Sequence, residues 1–572
     1  MKNLIDVSMK RGEADTVLKN CTIVNVFSGT LETGDIAIVD GCIAGIGEYD
    51  AEHSIDMTGK VVCPGFIDTH MHIESSMLPP SHFAGAVIPY GTTTCIADPH
   101  EIANVAGVDG IQFMINDAKG APVDFKFMLP SCVPATPFEH NGATIDGDLT
   151  SRILDEDRFL GLGEFMNAPG VIFADEDVLK KLESAKRVGK VVDGHYPNAG
   201  IREINAYAGT GIKTDHECVV AEDAMNKLKR GMYIQIREGS ATRNLDDLIG
   251  IVNDRTLRRV LFCTDDKQVE DLLNRGHINN SIKMAIAHGI SPIDAITIAT
   301  LNASECYNLS DRGAIAPGRI ADIVVLDSLE SFNILEVYKR GKLVAKDGKG
   351  LYEAHTVYDP VVRDTVHMKD IALDDLTLHL DSNKVRVMRL LPKNVVTEQS
   401  IREVSRDDEG NFVYDANSDI SKIVVVERHK ATGNIGIGLI EGYGVKGGAL
   451  ALSVAHDSHN IIAIGDNDRD ILVAINEIKR VGGGMTAVHN GEVYGTLELP
   501  IAGLMSDKDV GYILTNTRML TSYAVDELHV SRDVEPFMSL SFLSLVVIPR
   551  LKINDSGLFD YDTFSFVPIE AE

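Results

Sequence analysis

No stretch of the sequence holds the roughly 18 consecutive apolar residues that a membrane-spanning helix needs, and the run from Met1 to Asp15 is charged where a secretory leader has an apolar centre. The expectation is a cytoplasmic protein with no membrane partner. The eight cysteines (Cys21, Cys42, Cys63, Cys95, Cys132, Cys218, Cys263 and Cys306) are scattered and form no C-x-x-C pair. That pattern excludes a cysteine-held structural zinc and predicts reduced thiols, several of them buried in strands. Positive charge is scarce: 54 Lys and Arg face 84 Asp and Glu, a net −30. Such a chain repels phosphate backbones and anionic lipid, so nucleic acid is excluded as a partner by bulk electrostatics, while a small neutral or anionic substrate is not. No G-x-G-x-x-G follows the first strand of the main αβ region, which counts against an open dinucleotide-binding sheet. Gly482-Gly483-Gly484 is followed by no G-K-[ST] and reads as a turn, not a phosphate cradle.

What is present is a soluble globular composition, 44% apolar and 24% charged, in 572 residues, enough for two or three domains. Residues 1–62 read as short strands, with Ile36–Val39 and Ile43–Ile46 flanking the hairpin signal Asp40-Gly41. Beyond them, strand-like runs alternate with helical stretches. The strands expected are Val61–Ile67, Thr92–Ala97, Phe125–Leu129, Phe159–Gly163, Val191–Gly194, Gly211–Asp215, Tyr233–Ile236 and Leu261–Thr264. Eight β-then-α units predict a closed parallel (β/α)8 barrel over 63–312. Strands return over 313–365 and are expected to pair with the N-terminal ones, so that the barrel is inserted in a small β-sandwich. Residues 366–572 form a further αβ domain, in which Ile471, Ala474, Ile475 and Ile478 recur at helical spacing. The fold class is α/β.

The chemistry sits in Asp68-Thr69-His70-Met71-His72. Alternate side chains of a strand share a face, so His70 and His72 project together from the end of the first barrel strand. Two neutral imidazoles suit zinc, manganese or iron. Four further strands end in a possible ligand: Glu164, His195, His216 and Asp265. Barrel enzymes build their sites at that end of the strands. Six ligands exceed the need of one tetrahedral ion and suit two, whose joint charge lowers the pKa of a shared water. Glu164 is the expected bridge, and Asp265 both a ligand and the acceptor of the water's proton. Catalysis is thus assigned to Asp265, Glu164 and His216. A scaffold that had lost its metals is disfavoured, because all six positions carry competent ligands.

Pro64-Gly65-Phe66-Ile67-Asp68-Thr69-His70-Met71-His72 resembles the first-strand motif of the amidohydrolase superfamily, and Gly318-Arg319-Ile320-Ala321-Asp322-Ile323 resembles its return to the flanking β-sandwich. Many binuclear members bridge their metals with a carboxylated lysine on strand four; this chain has Glu164 there. That departure fits the adenine deaminase branch, as do His70–Ser76, Asp98-Pro99-His100-Glu101-Ile102-Ala103-Asn104-Val105, Gly194-His195-Tyr196-Pro197, Gly482–Met485 and Leu499–Ser506. The resemblance spans nearly the whole chain. It implies hydrolytic deamination of a free purine base, adenine, to hypoxanthine and ammonia by metal-activated hydroxide in purine salvage, with two divalent ions, Mn2+ or Fe2+ ahead of Zn2+. It also implies a homo-oligomer, dimer or tetramer. Cytosine deaminase, cyclic-imide hydrolase and amide deacetylase are the alternatives within the superfamily. His72-Ile73-Glu74 matches the H-x-E of the zinc nucleobase deaminases, but the P-C-x-x-C that such a site needs is missing.

Four residues are candidates for contact with the substrate: His100 and Glu101, expected at the end of the second strand, Arg237 at the end of the seventh, and Glu217 after a ligand. His456 and His459 have no further ligand set near them in sequence, and their segment is expected to be a loop that closes over the barrel mouth.

Overall fold

The protein is described here from a computed structural model that covers every residue except 52, 393 and 572. The N-terminal strands Thr16–Asn25, Thr30–Val39 and Cys42–Gly47 form a meander. Asp40 and Gly41 turn its second hairpin with φ of 52° and 73°, the left-handed pair that a two-residue hairpin demands. Val61–Pro64 lies between Thr16–Asn25 and the returning strand Ile323–Leu326, and Ile334–Lys339, Lys342–Lys346 and Lys349–Gly350 follow outward. The result is one hydrogen-bonded sheet of nine strands, not two sheets. Its two sequence-distant parts share a core in which Ile23, Ile36 and Val62 meet Ile323, Val325 and Tyr338.

The barrel strands are Phe66–His72, Thr92–Ala97, Asp124–Leu129, Phe159–Phe165, Val191–Gly194, Thr214–Asp215, Tyr233–Arg237 and Val260–Cys263. The run Val61–Ile67 expected as one strand is therefore two. The chain leaves the nine-stranded sheet at Pro64, Gly65 donates its N–H to the Asp322 carbonyl, and the barrel strand starts at Phe66. All ladders between barrel strands are parallel. Between the fifth and sixth strands the Lys213 N–H to the Val192 carbonyl carries the wall onward. The wall closes where Asp265–Asp266, just past the eighth strand, pairs with Met71 and His72 of the first. Closure thus brings Asp265 beside the His-x-His motif.

The C-terminal region is built on an eight-stranded sheet. Its strand Ile420–Val426 is buried along its whole length. Val424 and Val426 pack with Ile471, Ala474, Ile475 and Ile478 of the helix Asp468–Val481, while Ile423 and Val425 face the large core that also holds barrel residues such as Met71 and Phe83. The helix ends at Gly482, whose φ of 75° is the left-handed cap that a glycine supplies most readily. Hydrogen bonds cross between this region and the barrel: Ser506 N–H to the Met77 carbonyl at 2.9 Å, Asn554 Nδ2 to the Phe138 carbonyl at 2.8 Å, and Asn460 Nδ2 to the His140 carbonyl at 2.8 Å. All eight cysteines are unpaired, and seven are buried. Among the described residues no helix is long and apolar enough to cross a membrane.

Candidate metal centre

The first barrel strand is buried from end to end. Its pleat puts His70 and His72 on one side, ring centroids 4.8 Å apart. His72 Nδ1 lies 3.0 Å from the Asp98 carbonyl. A carbonyl only accepts, so Nδ1 carries a proton and Nε2 is the nitrogen left for a metal; without an ion it carries a second proton and bonds the carboxylates, which hold the ring charged. That Nε2 stands 3.2 Å from Glu164 Oε1 and 3.2 Å from Asp265 Oδ1. His70 Nε2 is 3.8 Å from the same two oxygens, is buried, and has no hydrogen-bond partner among the described residues.

Glu164 lies at the centre. Its Oε1 faces His70, His72 and His100 Nδ1, the last at 3.3 Å. Its Oε2 faces His195 Nδ1 at 2.6 Å and His216 Nε2 at 3.2 Å. Each oxygen therefore looks toward a different set of imidazoles, as a carboxylate shared by two cations must. The local sequence fixes this pose. Asp98 Oδ2 accepts the Glu164 N–H at 2.8 Å, and it comes so close to the preceding residue that a Cβ on Gly163 would stand 2.1 Å from it. Only glycine fits there. Burial by itself would raise the Glu164 carboxyl, but bonds from His195, His216 and His72 hold it well below the usual carboxylate range.

Asp265 adopts φ of 56°, rare for a residue with a side chain. It turns Oδ1 to His70 and His72 and gives Oδ2 to Arg237 Nη1 at 2.9 Å. Burial opposes its ionisation, yet His72 and Arg237 keep it well below the ordinary range. Asp266 points elsewhere and accepts from the Ser75 hydroxyl.

All six ligand candidates come together. The residues fit a divalent pair: two anionic carboxylates, four imidazoles, and the buried ring nitrogens His70 Nε2 and His100 Nδ1, which lack a hydrogen-bond partner among the described residues. Unpaired buried polar atoms are costly unless something else satisfies them.

The four substrate candidates divide. His100 and Glu101 do not end the second strand, which stops at Ala97; they open the helix His100–Asp117 behind Pro99. His100 faces Glu164, whereas Glu101 turns away to His456 and His459. Arg237 is engaged by protein groups: Nη1 and Nη2 take Glu217, Nη1 also takes Asp265, and Nε takes Asn244 Oδ1 at 2.9 Å. Glu217 is bound to it through both oxygens. Two positioning acids were not singled out from sequence. One is Asp98; the other is Asp215, which accepts the Tyr196 N–H at 3.0 Å and the Glu217 N–H at 2.8 Å and so holds the loops that carry His195 and Glu217. The signal available was an aspartate at the end of a buried strand next to a ligand.

Residues 61–344 match the amidohydrolase family, and residues 394–565 match the adenine deaminase C-terminal domain. The chain is 47% identical over 569 residues to an adenine deaminase of Nitratidesulfovibrio vulgaris (strain DP4), covering 100% of this chain and 99% of that one. This chain belongs to the adenine deaminase family. An adenine deaminase of Clostridium acetobutylicum is 48% identical over 556 residues, 97% of each chain, and one of Ligilactobacillus salivarius is 47% identical over 572 residues, 100% of this chain and 99% of that one. Membership in the adenine deaminase family, and through it in the amidohydrolases, makes the chain a hydrolase and implies a divalent-metal centre. The cluster around Glu164 offers the groups for it.

Proposed function

We propose that the chain hydrolyses free adenine to hypoxanthine and ammonia, with Glu164 as the bridge of a binuclear site. The observation that carries the reading is the split environment of Glu164, each oxygen facing its own imidazoles, in a chain whose full-length relatives are named adenine deaminases. In the overall reaction the water oxygen bonds to C6, the C6–N bond breaks, and the exocyclic nitrogen leaves as ammonia.

His70, His72, Glu164, His195, His216 and Asp265 would hold the ions, which when bound lower the pKa of a water and neutralise charge developing on the ring. The chain's own residues do the rest. Asp265 is ionised and fixed by Arg237, so it can accept the proton of the attacking water and return it to the departing amine. Arg237 also neutralises Glu217, so that the mouth carries one acceptor there instead of two competing acids. Burial of His70, His72, Glu164 and His216 excludes bulk water and strengthens each of these contacts. Imidazole and carboxylate ligands with no thiolate suit Mn2+ or Fe2+, with Zn2+ also accommodated. The unpaired cysteines suit a reducing, cytoplasmic setting and a role in purine salvage there.

The test is a spectrophotometric assay of the purified protein, loaded with Mn2+ or Fe2+, that follows the change from adenine to hypoxanthine together with ammonia release. Turnover of cytosine or a cyclic imide, with adenine untouched, would overturn the assignment.

A further inference from the structure

The loop Ala455–Asn460 joins the C-terminal sheet to the barrel across a large gap in sequence. His456 Nδ1 lies 2.7 Å from Glu101 Oε1, and His459 Nε2 contacts Glu101 Oε2. Glu101 Oε1 is 3.4 Å from His100 Nε2, and His100 Nδ1 is 3.3 Å from Glu164 Oε1. Two side chains thus separate His456 from the centre of the ligand cluster.

The loop is built, not draped. His456 N–H donates to the Ser541 carbonyl at 3.0 Å, Ser544 Oγ donates to the His456 carbonyl at 3.1 Å, and His429 Nε2 meets the Ser458 carbonyl at 2.7 Å. The buried Arg428 donates through Nε to the His459 carbonyl, and its N–H reaches Asn460 Oδ1 at 3.1 Å. The His456 ring stacks on Phe542, centroids 4.5 Å apart and planes within 19°. The two imidazoles differ in what is left over. His459 Nδ1 accepts the Ala455 N–H at 3.2 Å, so both of its nitrogens are used. His456 has one nitrogen on Glu101, and among the described residues its Nε2 has no partner and is not fully enclosed. The carboxylate of Asp266, beside the cluster, is among the charges that act on this ring.

We infer that His456 is a substrate-contacting residue, delivered by the C-terminal region, whose Nε2 donates to a ring nitrogen of the bound base while Glu101 orients the ring; His459 is a positioning residue that fixes the far oxygen of Glu101. The inference rests on the adenine reading for the identity of the base. Glu101 keeps Nδ1 protonated and favours the imidazolium, in the manner of a carboxylate behind a working histidine.

The experiment compares wild type with H456F, H456Q and H456A at equal metal loading, with metal content and melting temperature measured for each. H456F keeps the stack on Phe542 and removes both nitrogens. The expected result is a loss of about 100-fold in kcat/KM with metal content unchanged, the scale of one positioned donor. H456Q, whose amide reaches where Nε2 stands, is expected to recover about tenfold over H456F, and added imidazole to restore H456A but not H459A. Retention of kcat/KM within about threefold in H456F overturns the inference. So does a loss that follows metal content or melting temperature and that imidazole does not rescue. A wild type inert on adenine sinks the functional reading instead, and the same variants are then read on the cyclic amide that wild type does turn over.

Discussion

Two carboxylates in this chain are surrounded by histidines, and they are built for opposite ends. Around Glu164 most imidazole nitrogens stand 3.2 to 3.8 Å from the oxygens, His195 excepted, and among the described residues His70 Nε2 and His100 Nδ1 have no hydrogen-bond partner. Around Glu101 the imidazoles are in direct hydrogen-bond contact. The decisive difference lies one atom further out. His72 Nδ1 donates to the Asp98 carbonyl and so leaves Nε2 for a cation. His459 Nδ1 takes a proton from the Ala455 N–H, so its Nε2 is the donor to Glu101 and has no lone pair for a cation. The same residue types leave ring nitrogens open toward a shared carboxylate in one place and close into a hydrogen-bonded clamp in the other, and a single backbone group selects which.

The sharpest way to break this contrast is to neutralise each carboxylate in turn. E164Q is expected to lose metal and to cut turnover by more than about 1,000-fold, because it removes the ligand common to both imidazole sets. E101Q is expected to keep the metal content of wild type. Elemental analysis of the two variants decides; equal metal loss in both would mean that the clamp is a ligand set after all.

Arg237 is the next lever. It is one of the groups that hold the Asp265 carboxyl down against burial. With R237Q the carboxyl rises, so the acid limb of the kcat/KM profile moves to higher pH, with a fall of roughly 10- to 100-fold at neutral pH for a displaced base. A profile that only scales down, its limb unmoved, would assign the base elsewhere. A comparable effect, on metal affinity instead of turnover, is expected from G163A, whose added methyl meets Asp98 and no ligand side chain. Its Cβ would push Asp98 away from the Glu164 N–H, and disturbance of such supporting contacts weakens metal affinity by about 10- to 100-fold. A chelator titration measures it.

The sequence was legible where one local rule determines the outcome. The second hairpin follows from Asp40-Gly41, and the gathering of the six candidate residues at one end of the barrel from polar residues at the ends of apolar runs. The split at Gly65 was not legible, because Val61–Ile67 is one apolar run and nothing in it marks the change from one sheet to another. The place of His100 and Glu101 was misjudged although Pro99 carried the signal, proline being common where a helix begins. The partner of His456 lies 355 residues away in sequence. No period or motif encodes such a pairing; it exists only once the C-terminal sheet has packed on the barrel.

That packing yields the smallest effect, in the pH dependence of stability. Burial lowers the His456 pKa, but the Glu101 carboxylate outweighs it and lifts the group to about 9 from an ordinary 6.5. A raised folded-state pKa means that the ion pair contributes fully below about pH 6.5, where the unfolded chain is protonated as well, and that the contribution is lost as pH rises through about 9. The melting temperature of the metal-loaded protein should therefore fall between those limits. E101Q removes the cause of the shift, so its melting temperature should start lower and change less over the same window. If wild type and E101Q descend in parallel, the dependence belongs to other groups, and the seam between the C-terminal region and the barrel is held by the backbone and side-chain bonds at Ser506, Asn460 and Asn554 instead of by the charge on His456.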